Sequence, residues 1–209
     1  RLGFVSPEDF IAVAEQAGFI ENITKWVINQ AITDAAKFNQ SAVNVSVAIN
    51  LSAKDIMNPT ILPNILDLLA SHQLPTTSLS FELTEGDLVK DHDKAIVHLQ
   101  AFRDAGFELA IDDFGTGYTA FSQLIHYPAH CLKIDRSFIS DLFSGNDPRS
   151  KMVLIIQNLA ELYGLRVIAE GVETEEQLNY LKRHGCDWAQ GYFLSRPLAW
   201  DDLLKRLAM

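Results

Sequence analysis

"ELAIDDFGTGYTAF", Glu108 to Phe121, ends a short apolar run with two adjacent aspartates and follows them at once with a glycine-rich turn. Two carboxylates side by side at the end of a buried strand repel each other and resist desolvation, so a cation is expected to neutralise them. Neighbouring residues within a strand point to opposite faces. The strand is therefore read as ending at Asp113, where the turn swings both side chains inward.

Outward from that stretch, two periodicities alternate along the chain. The segments "AVNVSVAINLS", "LSFEL", "FELAIDD", "CLKID", "RVIAEGV" and "DWAQGYF" read as strands. Helical spacing fills the intervals, in "TKWVINQAITDAAKF", "NPTILPNILDLLASHQ", "DHDKAIVHLQAFRDAG", "GYTAFSQLIHYP", "DPRSKMVLIIQNLAELYGL", "TEEQLNYLKRHG" and "AWDDLLKRLA". The first helix, in "SPEDFIAVAEQAGFI", opens with Ser6 as N-cap, Pro7 at the first helical position and Asp9 three residues beyond the cap. Six strands, each followed by a helix, imply a parallel sheet covered by helices. No Pro/Gly/Ser-rich linker interrupts residues 1–209, which are read as one domain. Six such units fit either an open doubly wound sheet or a (β/α)8 TIM-type barrel lacking its first two strands. A barrel takes about 250 residues, so the missing strands are expected upstream, and the chain reads as a piece of a longer protein. The first strand–helix turn has no G-x-G-x-x-G, which weakens a dinucleotide-binding alternative.

Composition narrows the function. With 27 acidic and 17 basic residues the net charge is −10, the reverse of what a duplex nucleic-acid reader needs. An acidic protein still binds an anion when metal ions supply the positive charge locally. Cys131 and Cys186 are the only cysteines, and neither has the close partners of a zinc site, so a reducing, cytoplasmic setting is expected. No apolar run reaches the roughly 20 residues that cross a bilayer.

The polar residues gather where strands stop. Asn50 ends the first, Glu82 stands near the end of the second with Glu85 just beyond, and Asp112 and Asp113 end the third. Lys133 and Asp135 close the fourth, Glu170 the fifth with Glu173 three residues on, and Gln190 lies in the sixth. In a parallel barrel all these ends share one face, where active sites are built. Several acids on one rim need cations, and an all-oxygen set without His or Cys suits Mg²⁺ or Mn²⁺. A carboxylate shared by two such ions is the arrangement that clamps a phosphodiester during in-line attack, with a lysine to offset developing charge.

Blander roles absorb the remainder. A lone acid beside a helix is ordinarily a cap or loop charge, and Asp87, Asp91 and Glu175 are read so. "DFG" also marks a kinase metal site, but no H-R-D-x-x-x-x-N accompanies it. "GTGYT" lacks the Gly-Lys-Ser/Thr of a phosphate loop. The six histidines are scattered and read as structural or solvent-facing.

The motifs "INLS", "ELTE", "AIDDFGTGY", "LKID", "VIAEGVET" and "AQGYF", in that order, resemble those of the EAL-domain cyclic di-GMP phosphodiesterases, over essentially the whole chain. The resemblance implies a (β/α)8 barrel with one antiparallel strand that hydrolyses cyclic di-GMP to linear pGpG with two Mg²⁺ or Mn²⁺ ions. It implies Asn50 and Glu82 as ligands of the first metal and Asp112 as the bridging ligand. Asp113 and Glu170 become ligands of the second, with Glu170 also cast as general base. It further implies Lys133 as the residue that holds the attacking water with Asp135 beside it, and Glu85 as the residue that steadies the loop after the double aspartate. Glu173 and Gln190 become supporting residues. The loop and helix after Asp113 are implied in a homodimer interface, and a sensory or GGDEF-type domain upstream fits the same pattern. The Glu-Ala-Leu motif that names the family would precede Arg1. Two other readings compete: a catalytically silent cyclic di-GMP receptor, and a protein-interaction module that uses the barrel as scaffold.

Overall fold

A computed structural model describes residues 3, 5–40, 45–88, 92–117, 124–143 and 151–207. Helices α1 (Pro7–Gln16) and α2 (Ile20–Gln40) come first. Ser6 takes the extended N-cap conformation but its hydroxyl makes no capping bond, so the fixed φ of Pro7 sets the start of α1. Strand β1 (Val47–Asn50) leads into α3 (Ala53–Met57) and α4 (Ile61–Ser71). β2 (Leu79–Thr84) is followed by α5 (Glu85–Leu88) and α6 (His92–Asp104), then by β3 (Glu108–Phe114). β4 (Cys131–Ile134) precedes α7 (Arg136–Ser140) and α8 (Met152–Tyr163). β5 (Arg166–Ala169), α9 (Glu175–Arg183), β6 (Trp188–Ala189) and α10 (Trp200–Leu207) complete the order. The helix expected in "GYTAFSQLIHYP" falls largely on residues 118–123, outside the described residues, as does Asp91.

Strand order decides between the two architectures. The strands lie β1-β2-β3-β4-β5-β6, each beside its sequence neighbour, and all five pairings are parallel. A doubly wound sheet reverses its order at a switch point and carries helices on both faces. This sheet has no reversal, and β2 shows the alternation of a strand with one face against helices and one toward a barrel interior. In β2, Leu79, Phe81 and Leu83 are buried while the alternating Ser80, Glu82 and Thr84 are half-buried. The sheet is thus a barrel-type wall of six strands, with helices outside and the polar alternation inside.

The core lies between that wall and its helices. Phe81 of β2, Phe102 of α6 and Phe107 before β3 are each 1% exposed or less, and Phe81 meets both partners edge to face with centroids 5.1 Å apart. Each buried ring contributes roughly 1.5–3 kcal/mol by transfer, and each pair about 0.5–1.5 kcal/mol more. This cluster pins α6 against β2 and β3, and so fixes where Glu82 and Asp112 emerge. No described helix is long and apolar enough to cross a membrane.

Candidate metal centre and active site

The double aspartate is aimed by a backbone irregularity. β3 does not end at Asp113 but runs on to Phe114, and its register against β4 shifts between Ile111 and Phe114. At that shift Asp113 takes φ 53°, a left-handed conformation that aspartate tolerates better than most side chains. A bulge re-aims side chains that strict alternation would send to opposite faces. The Asp113 N–H donates to Asp112 Oδ1 at 2.9 Å, and the oxygens of Asp112, Asp113 and Glu170 lie within 4.8 Å of one another. Among the described residues this is the one group of acids, histidines or cysteines able to reach a common ion.

Lys133 occupies the centre of the rim. It is only 4% exposed, and its Nζ donates to Glu82 Oε2 at 2.7 Å, to Asp112 Oδ2 at 2.9 Å and to Glu170 Oε1 at 2.6 Å. Burial alone would lower the lysine pKa. The hydrogen bonds it donates to Glu170 and Glu82 and the charges of Glu82 and Asp112 outweigh it and raise the value. Burial pushes Glu82 and Glu170 above the ordinary carboxylate range, with Lys133 holding them partly down. Asp113 rises to about 6, through burial first and then the charges of Asp112, Asp135 and Glu170.

The other expected residues take distinct places. Asn50 is the register partner of Glu82 on β1, and its side chain is exposed on the rim. Glu85 is buried as the first residue of α5, and its Oε2 accepts from Gly115 N–H at 3.0 Å and Gly117 N–H at 3.1 Å. Asp135 is the N-cap of α7, its Oδ1 accepting from the N–H and hydroxyl of Ser137, yet its charge still reaches Asp113. Gln190 stands just past β6 rather than within it. Its backbone N–H donates to Ala169 O at 2.8 Å and its carbonyl accepts from Val172 N–H at 3.0 Å. Glu173 is exposed, and its backbone N–H donates to Gln177.

Several residues outside the expected set build the frame. Ser52 and Asp55 form a capping box on α3, and Thr24 of α2 adds a bond to Asp55 at 2.9 Å, fixing the turn that leaves Asn50. Thr174 and Gln177 form another on α9. The Gln177 Oε1 takes the N–H groups of Glu173 and Thr174, while its Nε2 donates to Ile139 O at 3.1 Å, tying the Glu170 loop to α7. Both boxes carry a readable signal, Ser-x-x-Asp and Thr-x-x-Gln. Glycine enforces the same closeness twice. A Cβ on Gly171 would sit 2.5 Å from Arg136 Cβ, and one on Gly191 would sit 2.2 Å from the backbone of Val172.

The fold and site together define a parallel barrel-type sheet whose strand ends converge in carboxylates around one lysine, a donor set able to hold metal cations. The sequence profile of the EAL domain matches residues 1–197, and the chain belongs to that family. It is 35% identical to the bifunctional diguanylate cyclase/cyclic di-GMP phosphodiesterase MucR of Pseudomonas aeruginosa, covering 99% of this chain and 30% of MucR. It is 33% identical to the cyclic di-GMP phosphodiesterase PdeR of Escherichia coli, over 94% of this chain and 30% of PdeR. The solved PaMucR phosphodiesterase–c-di-GMP complex superposes with a TM-score of 0.90 at 34% identity, covering 97% of this chain and 82% of the other. The chain thus spans about a third of the length of these two curated relatives.

Proposed function

We propose that this chain is a metal-dependent phosphodiesterase domain that hydrolyses cyclic di-GMP to linear pGpG with two Mg²⁺ or Mn²⁺ ions. The observation that carries this reading is the Asp112–Asp113–Glu170 cluster, whose oxygens lie within 4.8 Å at the C-terminal strand ends. The names of MucR and PdeR supply the substrate class. The donors are all oxygen and strongly anionic, and a lysine ammonium already sits among them at 2.6–2.9 Å, so the pocket fits hard divalent cations.

Asn50 and Glu82 would hold the first ion, Asp112 would be shared, and Asp113 and Glu170 would hold the second. Bound ions supply Lewis-acid neutralisation of charge on the phosphodiester. Glu170, made more basic by burial, would take a proton from the attacking water. Lys133, whose three partners keep it protonated, orients that water and offsets charge developing on the phosphoryl oxygens. Glu85 holds the start of the following loop through Gly115 and Gly117. The chain acts as one cytoplasmic domain of a longer protein with a sensory or GGDEF-type neighbour, pairing with a second copy through the segment after Asp113.

The test is cyclic di-GMP hydrolysis by the parent protein with Mg²⁺ or Mn²⁺, abolished in Glu170→Ala. No turnover by the parent, or full activity in the variant, refutes the enzyme. Calorimetric binding without turnover assigns the receptor role instead.

A further inference from the structure

The opposite end of the sheet gathers basic side chains despite the chain's net charge of −10. A cavity of about 380 Å³ lies at the N-terminal ends of β4 and β5, lined by Arg103, Tyr127, His130, Tyr163 and Arg166. A second, of about 240 Å³, flanks it and shares Arg103 and His130. Leu124, Ile125 and Leu165 give the larger cavity an apolar wall.

His130 is locked into one orientation and one tautomer. Its backbone N–H donates to Leu109 O at 2.8 Å, and its Nδ1 accepts from the Leu109 N–H at 3.1 Å. A neutral ring whose Nδ1 accepts must carry its proton on Nε2. No acceptor among the described residues takes that Nε2–H. Arg166 is held from two sides, by an ion pair with Glu108 and by stacking on Trp188 at 4.6 Å. Arg103, in the last turn of α6, makes no ion pair among the described residues. The nearest acid on its own helix, Asp104, is bonded by Gln100 at 2.8 Å. Glu108 borders the smaller cavity and is paired with Arg166, while Arg103 has no carboxylate partner among the described residues. Burial and then the charge of Arg103 hold the His130 pKa below its ordinary value, against the opposing charge of Glu108, so the ring is neutral and offers Nε2–H as a donor.

We propose that this cavity binds a small oxyanion, inorganic phosphate or a phosphate monoester, through the Arg103 and Arg166 guanidinium groups and His130 Nε2–H. Paired N–H forks match phosphate oxygens. The apolar wall accommodates the organic part of an ester. This inference does not rest on the proposed hydrolysis, because the site lies at the other end of the strands.

The experiment is an NMR titration of ¹⁵N-histidine-labelled chain with inorganic phosphate and separately with 5′-GMP. EDTA is present so that no divalent ion recruits nucleotide to the acidic rim. The His130 imidazole signals, assigned with His130→Gln, are expected to shift saturably. Arg103→Gln should weaken binding about tenfold or more, and Arg103→Lys should restore part of it. Tighter binding of GMP identifies an ester site, and equal binding identifies a free-phosphate site. Unmoved His130 signals with both probes overturn the proposal, as does a non-saturating drift that is the same in Arg103→Gln. Arg103 is exposed, so neither of its variants removes a core contact.

Discussion

Replacing Lys133 with methionine should cost stability in a way that depends on pH and on divalent cations. The ammonium meets three carboxylates at 2.6–2.9 Å while only 5% of its side chain is exposed, and its partners are 13–20% exposed. At an effective dielectric near 20, each contact is worth about 6 kcal/mol of gross attraction, much of it offset by the desolvation of the lysine. Removing one partner of a buried ionic cluster typically costs about 3–5 kcal/mol, because the remaining charges are left uncompensated. For a domain of this size that predicts a fall in Tm of about 6–20 °C. The sign of the pH dependence follows from the carboxylates. Glu82 and Glu170 are already raised by burial, and losing Lys133 raises them further above their unfolded values. The folded variant therefore binds protons more tightly than the unfolded chain. Its deficit is greatest above the raised pKa values and shrinks as pH falls toward the unfolded range. Mn²⁺ should narrow the deficit at pH 7.5, since it restores positive charge to the same oxygens. Urea unfolding of both chains at pH 5 and 7.5, with EDTA or Mn²⁺, measures all three effects. A deficit below about 1 kcal/mol, or one unchanged by pH and metal, would refute this account of the rim.

Asp113, raised to about 6, should couple metal binding to proton release. Mn²⁺ affinity falls as pH drops below that value, and calorimetry in buffers of different ionisation enthalpy detects released protons at pH 5.5 but few at pH 8. Without metal the protonated carboxyl favours folding, and this contribution is lost as pH rises through about 6. Gln177→Met keeps side-chain length but leaves the N–H groups of Glu173 and Thr174 and the carbonyl of Ile139 without their partner. A loss of about 1–3 kcal/mol in chemical denaturation is expected, with faster amide exchange at Glu173 and Thr174. Gly191→Ala pushes a methyl into the backbone of Val172. Overpacking of this kind costs about 1–3 kcal/mol, and here it also moves the Gln190 backbone, so under the proposed function weakened binding of cyclic di-GMP should accompany the fall in Tm.

The strands and long helices were legible because their periodicities are strong, and the acids at strand ends followed once the strands were placed. What stayed hidden was local. Helices α3, α5 and α7 are five residues or fewer, too short for a periodic signal, so only the capping spacings at Ser52–Asp55 and the acid before α7 betray them. The short polar runs after each strand looked like loops, and Asp135 looked purely functional although it also caps a helix. The choice between barrel and doubly wound sheet was beyond pattern reading, since both share the same alternation. Strand adjacency is a tertiary property, set by which helix faces pack on which strands, as the Phe81–Phe102–Phe107 cluster illustrates.

The double aspartate joins these levels. Alternation along β3 would bury Asp113 on the helix side, among Phe114 and its neighbours, where an ionised carboxylate is prohibitively unstable. A register shift and one left-handed residue turn it to the rim instead, at a backbone cost of order 1–3 kcal/mol. Such strain persists only where the surroundings over-determine it. Glu85 holds Gly115 and Gly117 on one side of the turn, and the β3–β4 pairing resumes at Phe114 on the other. The same geometry that makes Asp113 hard to ionise leaves it beside Asp112 and Glu170, so the energy stored in their repulsion is released when a divalent cation binds. Charge-neutral Asp113→Asn should therefore make the metal-free domain more stable while weakening its hold on metal. A loss of both properties together would show that the bulge depends on the carboxylate itself.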